Sequence, residues 1–211
     1  IHTDGEGTVL TTEECLLHKN RNPSMTQEEI EEHILCALGC QKIIWLPHGL
    51  AQDDDTNGHV DNFCCFVAPG EVVLAWTDDE KEDNENYHRC RSALKVLENT
   101  LDSTKRTLKV HKLHLPSPPL FYTKEDAFGL RQRKAGDRLS ASYVNFYVAN
   151  KAIVVPQLGC EQDGLAQDTL KNAFPDRKVV GVQSRHILVG GGNIHCITQQ
   201  VPTVKETSRH R

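Results

Sequence analysis

Ile30, Ile34, Leu35 and Leu38 recur at helical spacing, and Thr26-Gln27-Glu28-Glu29 ahead of them has the Thr-x-x-Glu spacing of a capping box. Gly39 interrupts the pattern, so the spacing predicts an amphipathic helix that ends there. Lys42-Ile43-Ile44-Trp45-Leu46 then reads as a short buried strand closed by Pro47, and the polar stretch 52–58 reads as a loop carrying three consecutive aspartates. Residues 60–67 and 71–76, joined at Pro69-Gly70, predict a β-hairpin. An acidic loop over 78–86 leads to a helix with Tyr87, Leu94, Leu97 and Leu101 on one stripe, and residues 108–115 predict a strand. The order is hairpin, helix, strand, and it recurs: 142–149 and 152–157 form a second hairpin around Asn150-Lys151, 165–174 a helix ended by Pro175, and 178–182 a strand. Asn62-Phe63 aligns with Asn145-Phe146 at an offset of 83 residues. A ββα unit used twice, with a partial unit at each end, suggests a repeated α/β architecture. The same alternation equally suits an open doubly wound sheet. Between the units, the Pro-rich and basic stretch 116–138 reads as a surface loop lying over a site.

Composition narrows the classes of partner. The chain has 211 residues, with 24 Lys+Arg against 29 Asp+Glu and a net charge of −5. With no run of five like charges, it lacks the electrostatic footprint that nucleic acid or an anionic bilayer requires. Apolar runs such as Ala152-Ile153-Val154-Val155 end at Pro or Gly far short of the roughly 20 residues of a membrane span, so a soluble protein is expected. Eight cysteines are too sparse for a disulfide-stapled scaffold, and adjacent Cys64 and Cys65 can hardly both find bridge partners. With no basic-then-apolar leader, a reducing, cytoplasmic compartment is expected. The chain starts at Ile1, not Met, in what reads as the end of a strand, so further sequence is expected upstream.

Two stretches could carry chemistry. Gly190-Gly191-Gly192 precedes Cys196, and glycines let a backbone approach a ligand closely, whereas a lone cysteine is most often a small buried hydrophobe. A nucleophilic thiol also needs access and a neighbouring base or cation. His59-Val60-Asp61 would, in a strand, put its histidine and carboxylate on one face, where the carboxylate orients the imidazole and makes it more basic. Alone, His-x-Asp is commonly a surface pair; the two signals together are better explained by a site than by packing or turn formation. His195 would face away from Cys196 in an extended segment and is expected to be structural, while Cys36 and Cys40 are expected on the buried side of the first helix. Neither Cys-x2-Cys nor His-x3-His spacing supports structural zinc, and the glycine run lacks the Lys-Ser/Thr of a P-loop.

These stretches also carry a resemblance. Asp4-Gly5-Glu6-Gly7-Thr8, Glu13-Glu14-Cys15-Leu16-Leu17, Asn20-Arg21-Asn22-Pro23, Asp54-Asp55-Thr56-Asn57-Gly58-His59-Val60-Asp61-Asn62, Ala141-Ser142-Tyr143-Val144-Asn145-Phe146-Tyr147 and Gly191-Gly192-Asn193-Ile194-His195-Cys196-Ile197-Thr198-Gln199-Gln200 stand in order. Over nearly its whole length the chain resembles the C-terminal part of agmatine deiminases (agmatine iminohydrolases) of the guanidine-modifying superfamily, the plant-like members most. The resemblance implies a pentein fold, an α/β propeller of five ββαβ-type units around a central channel, rather than a doubly wound sheet. Residues 1–211 would then be one catalytic domain whose N-terminal units are missing. It further implies hydrolysis of agmatine to N-carbamoylputrescine and ammonia with no metal or organic cofactor, and a homodimer.

Position by position, the resemblance makes Cys196 the nucleophile, His59 the general acid/base, and Asp61 a carboxylate that binds the guanidinium. Asp55 is expected to hold the cationic far end of the substrate, since three aspartates in a row repel unless a cation or solvent relieves them. Other guanidinium-binding carboxylates of the family lie upstream of Ile1. The isolated chain is therefore expected to be inactive, and a non-catalytic scaffold fragment, or a deiminase of arginine or peptidyl-arginine, are the alternatives.

Overall fold

The computed structural model describes residues 1–128 and 133–201. Three units follow one another, each a three-stranded mixed sheet. In the first, β1 (His2–Thr3) pairs antiparallel with β2 (Thr8–Thr12), and β2 pairs parallel with β3 (Lys42–Leu46) after the short helix α1 (Glu13–Leu16) and helix α2 (Gln27–Leu38). The second unit repeats the order with β4 (Cys64–Ala68), β5 (Glu71–Trp76), α3 (Asn84–Glu98) and β6 (Lys109–His114). The third uses β7 (Tyr147–Val148), β8 (Ala152–Gln157), α4 (Gln162–Ala173) and β9 (Lys178–Gln183). The repeated α/β architecture is thus present, in three ββαβ units rather than two full ones and two partial ones. The long helical crossover in each unit is what a parallel strand pair requires.

The middle strand of each sheet is the most enclosed, and Val9, Leu10, Val72, Val73, Leu74, Ile153 and Val155 are fully buried. α3 lies against β3 of the preceding unit as well as its own β5, and α4 likewise covers β6. One core therefore runs from unit to unit, from Leu10 and Ile44 through Phe63 and Leu97 to Leu170. A second, smaller cluster of Val9, Ile30, Ile43 and Trp45 lies under α2. The capping box forms as predicted: the Glu29 amide donates to Thr26 Oγ1 and the Thr26 amide to Glu29 Oε2, while Gly39 closes the helix in the left-handed region at φ 65°. Among the described residues no helix is long and apolar enough to cross a membrane.

Several expectations need correction. Residues 60–62 do not begin a strand; Val60–Asn62 is a 3-10 turn, closed by the Phe63 amide on Val60 O, and β4 starts only at Cys64. The strand expected over 142–149 shrinks to Tyr147–Val148, because the Asn145 carbonyl is taken by the His195 amide rather than by a sheet partner. Leu101 lies beyond α3 and is exposed. Cys36 is exposed rather than buried, since it stands on the opposite flank of α2 from Ile30 and Ile34; Cys40 packs partly against the smaller cluster. The strand β2 and the helix α1 were not predicted at all. Every residue of β2 is buried, so no alternation marks it. Residues 129–132 of the long loop expected over a site lie outside the described residues.

Candidate functional site

The unit boundaries place the site. One group of residues enters the first strand of the second unit (His59, Asp61), one enters the first strand of the third (Asn145), and one follows the last strand of the third in the 3-10 turn His195–Ile197 (His195, Cys196). Equivalent joints of a repeat thus bring together residues 134 positions apart, as in the His195–Asp61 contact.

Asp61 is the hub. Its Oδ2 accepts from His195 Nδ1 at 2.7 Å and from Asn145 Nδ2 at 3.2 Å, and the Cys196 thiol points to it at 3.5 Å. Its Oδ1 is buried, finds no hydrogen-bond donor among the described residues, and stands 3.9 Å from His59 Nδ1. Burial works against the charge on Asp61, but the hydrogen bond from His195 and the electrostatic pull of that ring outweigh it and hold the carboxyl below its usual range. A buried acceptor left unpaired is costly unless a ligand completes it.

His59 is held at its backbone by Thr56 Oγ1 (3.4 Å) and at Nε2 by Arg21 Nη2 (3.1 Å), which also donates to the Thr56 carbonyl. Burial lowers its pKa, against the pull of Asp61, so the neutral imidazole is favoured at rest. Gly58, at φ 76°, lets the chain turn into His59; its carbonyl accepts from Thr12 Oγ1 at 2.6 Å, and a Cβ there would come within 2.5 Å of Glu14 Oε2. Glu14 is itself fixed by Arg89 Nη1 at 2.7 Å and the Gly49 amide at 2.9 Å.

The glycine run acts by close approach. A Cβ on Gly192 would stand 3.0 Å from both Cβ and Sγ of Cys196, and Gly191, at φ 95°, presses against the Asp55 carboxylate. Burial and Asp61 together raise the Cys196 thiol pKa, so the resting sulfur is protonated. A cation seated on the unpaired Oδ1 of Asp61, close to the sulfur, would reverse that balance. The arrangement therefore has an attacking atom, an ionised carboxylate with one free oxygen, and an imidazole able to carry a proton, all suited to a planar cationic substrate.

Of the residues expected from the sequence, the structure brings Cys196, His59 and Asp61 together. It does so without the strand that was expected to align His59 with Asp61. Asp55 stands apart from them, at Gly191, with its carboxylate paired to Arg133 of the long loop. His195, expected to be structural, belongs to the site, because the 3-10 turn swings its ring onto Asp61 instead of away. Asn145 and Arg21 were not singled out individually. Both stand inside the motif stretches, and the Asn62/Asn145 alignment was the available signal for the former. His2 is also nearby; burial pushes it down to about 4, and its Nδ1 accepts from the Phe66 amide.

Comparison with known proteins shows what the chain as a whole is similar to. Residues 1–202 match the family described as Porphyromonas-type peptidyl-arginine deiminase. The chain is 51% identical to an agmatine deiminase of Pseudomonas fluorescens over 208 residues, 96% of this chain and 55% of that protein. An agmatine deiminase of Medicago truncatula is 51% identical over 97% of this chain and 56% of its own length. Among solved structures, the agmatine deiminase of Enterococcus faecalis superposes with a TM-score of 0.86 at 42% identity, over 95% of this chain and 55% of that one. A C. jejuni agmatine deiminase with substrate bound gives 0.79 at 30% identity, over 92% and 52%. The chain spans about half the length of the curated relatives it matches.

Proposed function

The chain belongs to the Porphyromonas-type peptidyl-arginine deiminase family, and from that membership and the geometry around Asp61 we propose that it supplies the nucleophile-bearing part of an agmatine deiminase. The observation that carries this reading is the buried, unpaired Oδ1 of Asp61 beside the Cys196 thiol, an acceptor and a nucleophile facing one small space. The family description names peptidyl-arginine, but the relatives at about half identity are agmatine deiminases, which favours the free amine.

In this reading the guanidinium docks on Asp61 through paired N–H donors, and its charge offsets the burial that keeps Cys196 protonated. Cys196 passes its thiol proton to His59, and the thiolate so formed attacks the guanidinium carbon to give a tetrahedral adduct. His59 delivers a proton to one amino group, the C–N bond breaks, and ammonia leaves an S-alkylthiouronium on Cys196. Water then gives a proton to His59 as it adds to the same carbon; the C–S bond breaks as the adduct's hydroxyl proton passes to solvent, releasing N-carbamoylputrescine and a thiolate that takes back the His59 proton to restore the resting thiol. That product would place the enzyme in polyamine synthesis. Asp55 would hold the ammonium end of agmatine, with Arg133 giving up its place on the carboxylate. The three units would be three of five in a closed propeller forming one catalytic domain, with the first two upstream, and the complete enzyme a cytoplasmic homodimer.

Incubating the full-length protein with agmatine and examining it by mass spectrometry should reveal a covalent adduct on the peptide carrying Cys196. Cys196→Ser should abolish turnover; normal turnover in that variant overturns the mechanism. Comparing rates on agmatine, arginine and a peptidyl-arginine separates the substrates, with agmatine expected to be fastest.

A further inference from the structure

Asn145 is fully buried, and both polar atoms of its side chain are engaged at the site. Its two Nδ2 hydrogens are shared among Asp61 Oδ2 at 3.2 Å, the Asp61 carbonyl at 3.4 Å and Cys196 Sγ at 3.2 Å. Its Oδ1 accepts from the Cys196 amide at 3.3 Å, and its backbone carbonyl accepts from the His195 amide at 3.1 Å. The orientation of the amide follows from these partners. Oδ1 meets a group that can only donate and Nδ2 meets a carboxylate, so exchanging the two atoms would set oxygen against oxygen.

We propose that Asn145 is a further catalytic residue of the thiol chemistry, donating a hydrogen bond to Cys196 Sγ that stabilises the thiolate while its other hydrogen holds Asp61 in place for the cation. The proposal rests on the reading of Cys196 as nucleophile. Burial and Asp61 both oppose ionisation of this sulfur, so hydrogen bonds to the charged form must supply part of the compensation. The Asn193 backbone makes one such bond and Asn145 the other. Asn145 gives up no proton and takes none. It biases the thiol equilibrium, and because one amide grips both groups, it also helps to hold the sulfur 3.5 Å from Asp61 Oδ2, with Oδ1 left for the cation.

The test measures alkylation of Cys196 by iodoacetamide against pH in the full chain, quantified on the Cys196 peptide, with exposed Cys36 as the internal reference. Asn145→Ala should raise the midpoint for Cys196 by about one unit and slow its alkylation at pH 7 about tenfold, the size of one lost charge-assisted hydrogen bond. Cys36 should react at an unchanged rate. Asn145→Asp preserves the volume and replaces the donor by a carboxylate; it should raise the midpoint at least as far, and it serves as the test if the alanine variant does not fold. An unchanged Cys196 midpoint in a folded variant overturns the proposal, whatever happens to turnover. Alkylation requires no agmatine, so loss of the deiminase reading and loss of the Asn145 role would be seen separately.

Discussion

At the scale of single residues, Asp61 has two effects of opposite sign. Its charge opposes the Cys196 thiolate, and its free Oδ1 is the acceptor a guanidinium would need. Asp61→Asn, close in shape, should therefore make Cys196 more easily ionised in the free protein, with an alkylation midpoint below that of the parent. The same substitution should lower kcat/KM on agmatine at least about a hundredfold, the loss expected when a charged, desolvated contact of roughly 3 kcal/mol is removed. A fall in kcat/KM with an unchanged or raised Cys196 midpoint would mean that the substitution had simply disordered the site. The pH dependence carries the same sign: the thiolate fraction of the free chain should rise with pH toward a midpoint above the ordinary thiol value, and a guanidinium bound as proposed should shift it down.

At the scale of elements, the site stands where loops meet rather than on any strand or helix. Asp55 belongs to the aspartate loop, Arg133 to the long loop between the second and third units, and Gly191 to the turn that delivers Cys196; the three are in contact. A carboxylate in that position couples the loops electrostatically, and it serves substrate only if the guanidinium of Arg133 is exchanged for the ammonium of agmatine. Asp55→Asn should lower kcat/KM on agmatine about tenfold with little change in rate on a substrate lacking the distal amine. Equal losses on both substrates would assign Asp55 to holding the loops alone.

At the scale of the molecule, the units are joined by side chains as well as by the core. Arg89 reaches from α3 of the second unit to Glu14 of α1 in the first, and to the carbonyl of Gly49, while its other nitrogen meets Glu85. Glu14 backs the Gly58 turn from which His59 projects. Arg89→Met retains the apolar stem but leaves Glu14 half-buried without its cation, a loss of about 1–3 kcal/mol. Thermal scanning should show a lower Tm, and kcat should fall with it because the His59 turn loosens; an unchanged Tm would mean that this contact between units adds nothing to the fold.

The local pattern sufficed for α2, for β3, β5 and β8, and for the repeat, because capping residues, turn residues and apolar periodicity are nearest-neighbour properties of the chain. Glycines ahead of Cys196 and the pair His59 and Asp61 were legible for the same reason: each is a short signal of unusual composition, sharpened by the family resemblance. A shared strand face is not what aligns His59 with Asp61, since 3-10 bonds close over 60–62 instead. His195, Asn145 and Arg21 could not be given their places from the sequence, because what matters about them is contact with residues 134, 51 and 38 positions away. Periodicity reports which face of an element is apolar; it does not report which joints of a repeat converge. The cysteine proposed as nucleophile was therefore legible in the chain, whereas the hydrogen bonds around its sulfur, the free oxygen of Asp61 beside it and the placement of Asp55 on Arg133 were decided only when three units packed together and closed those distances.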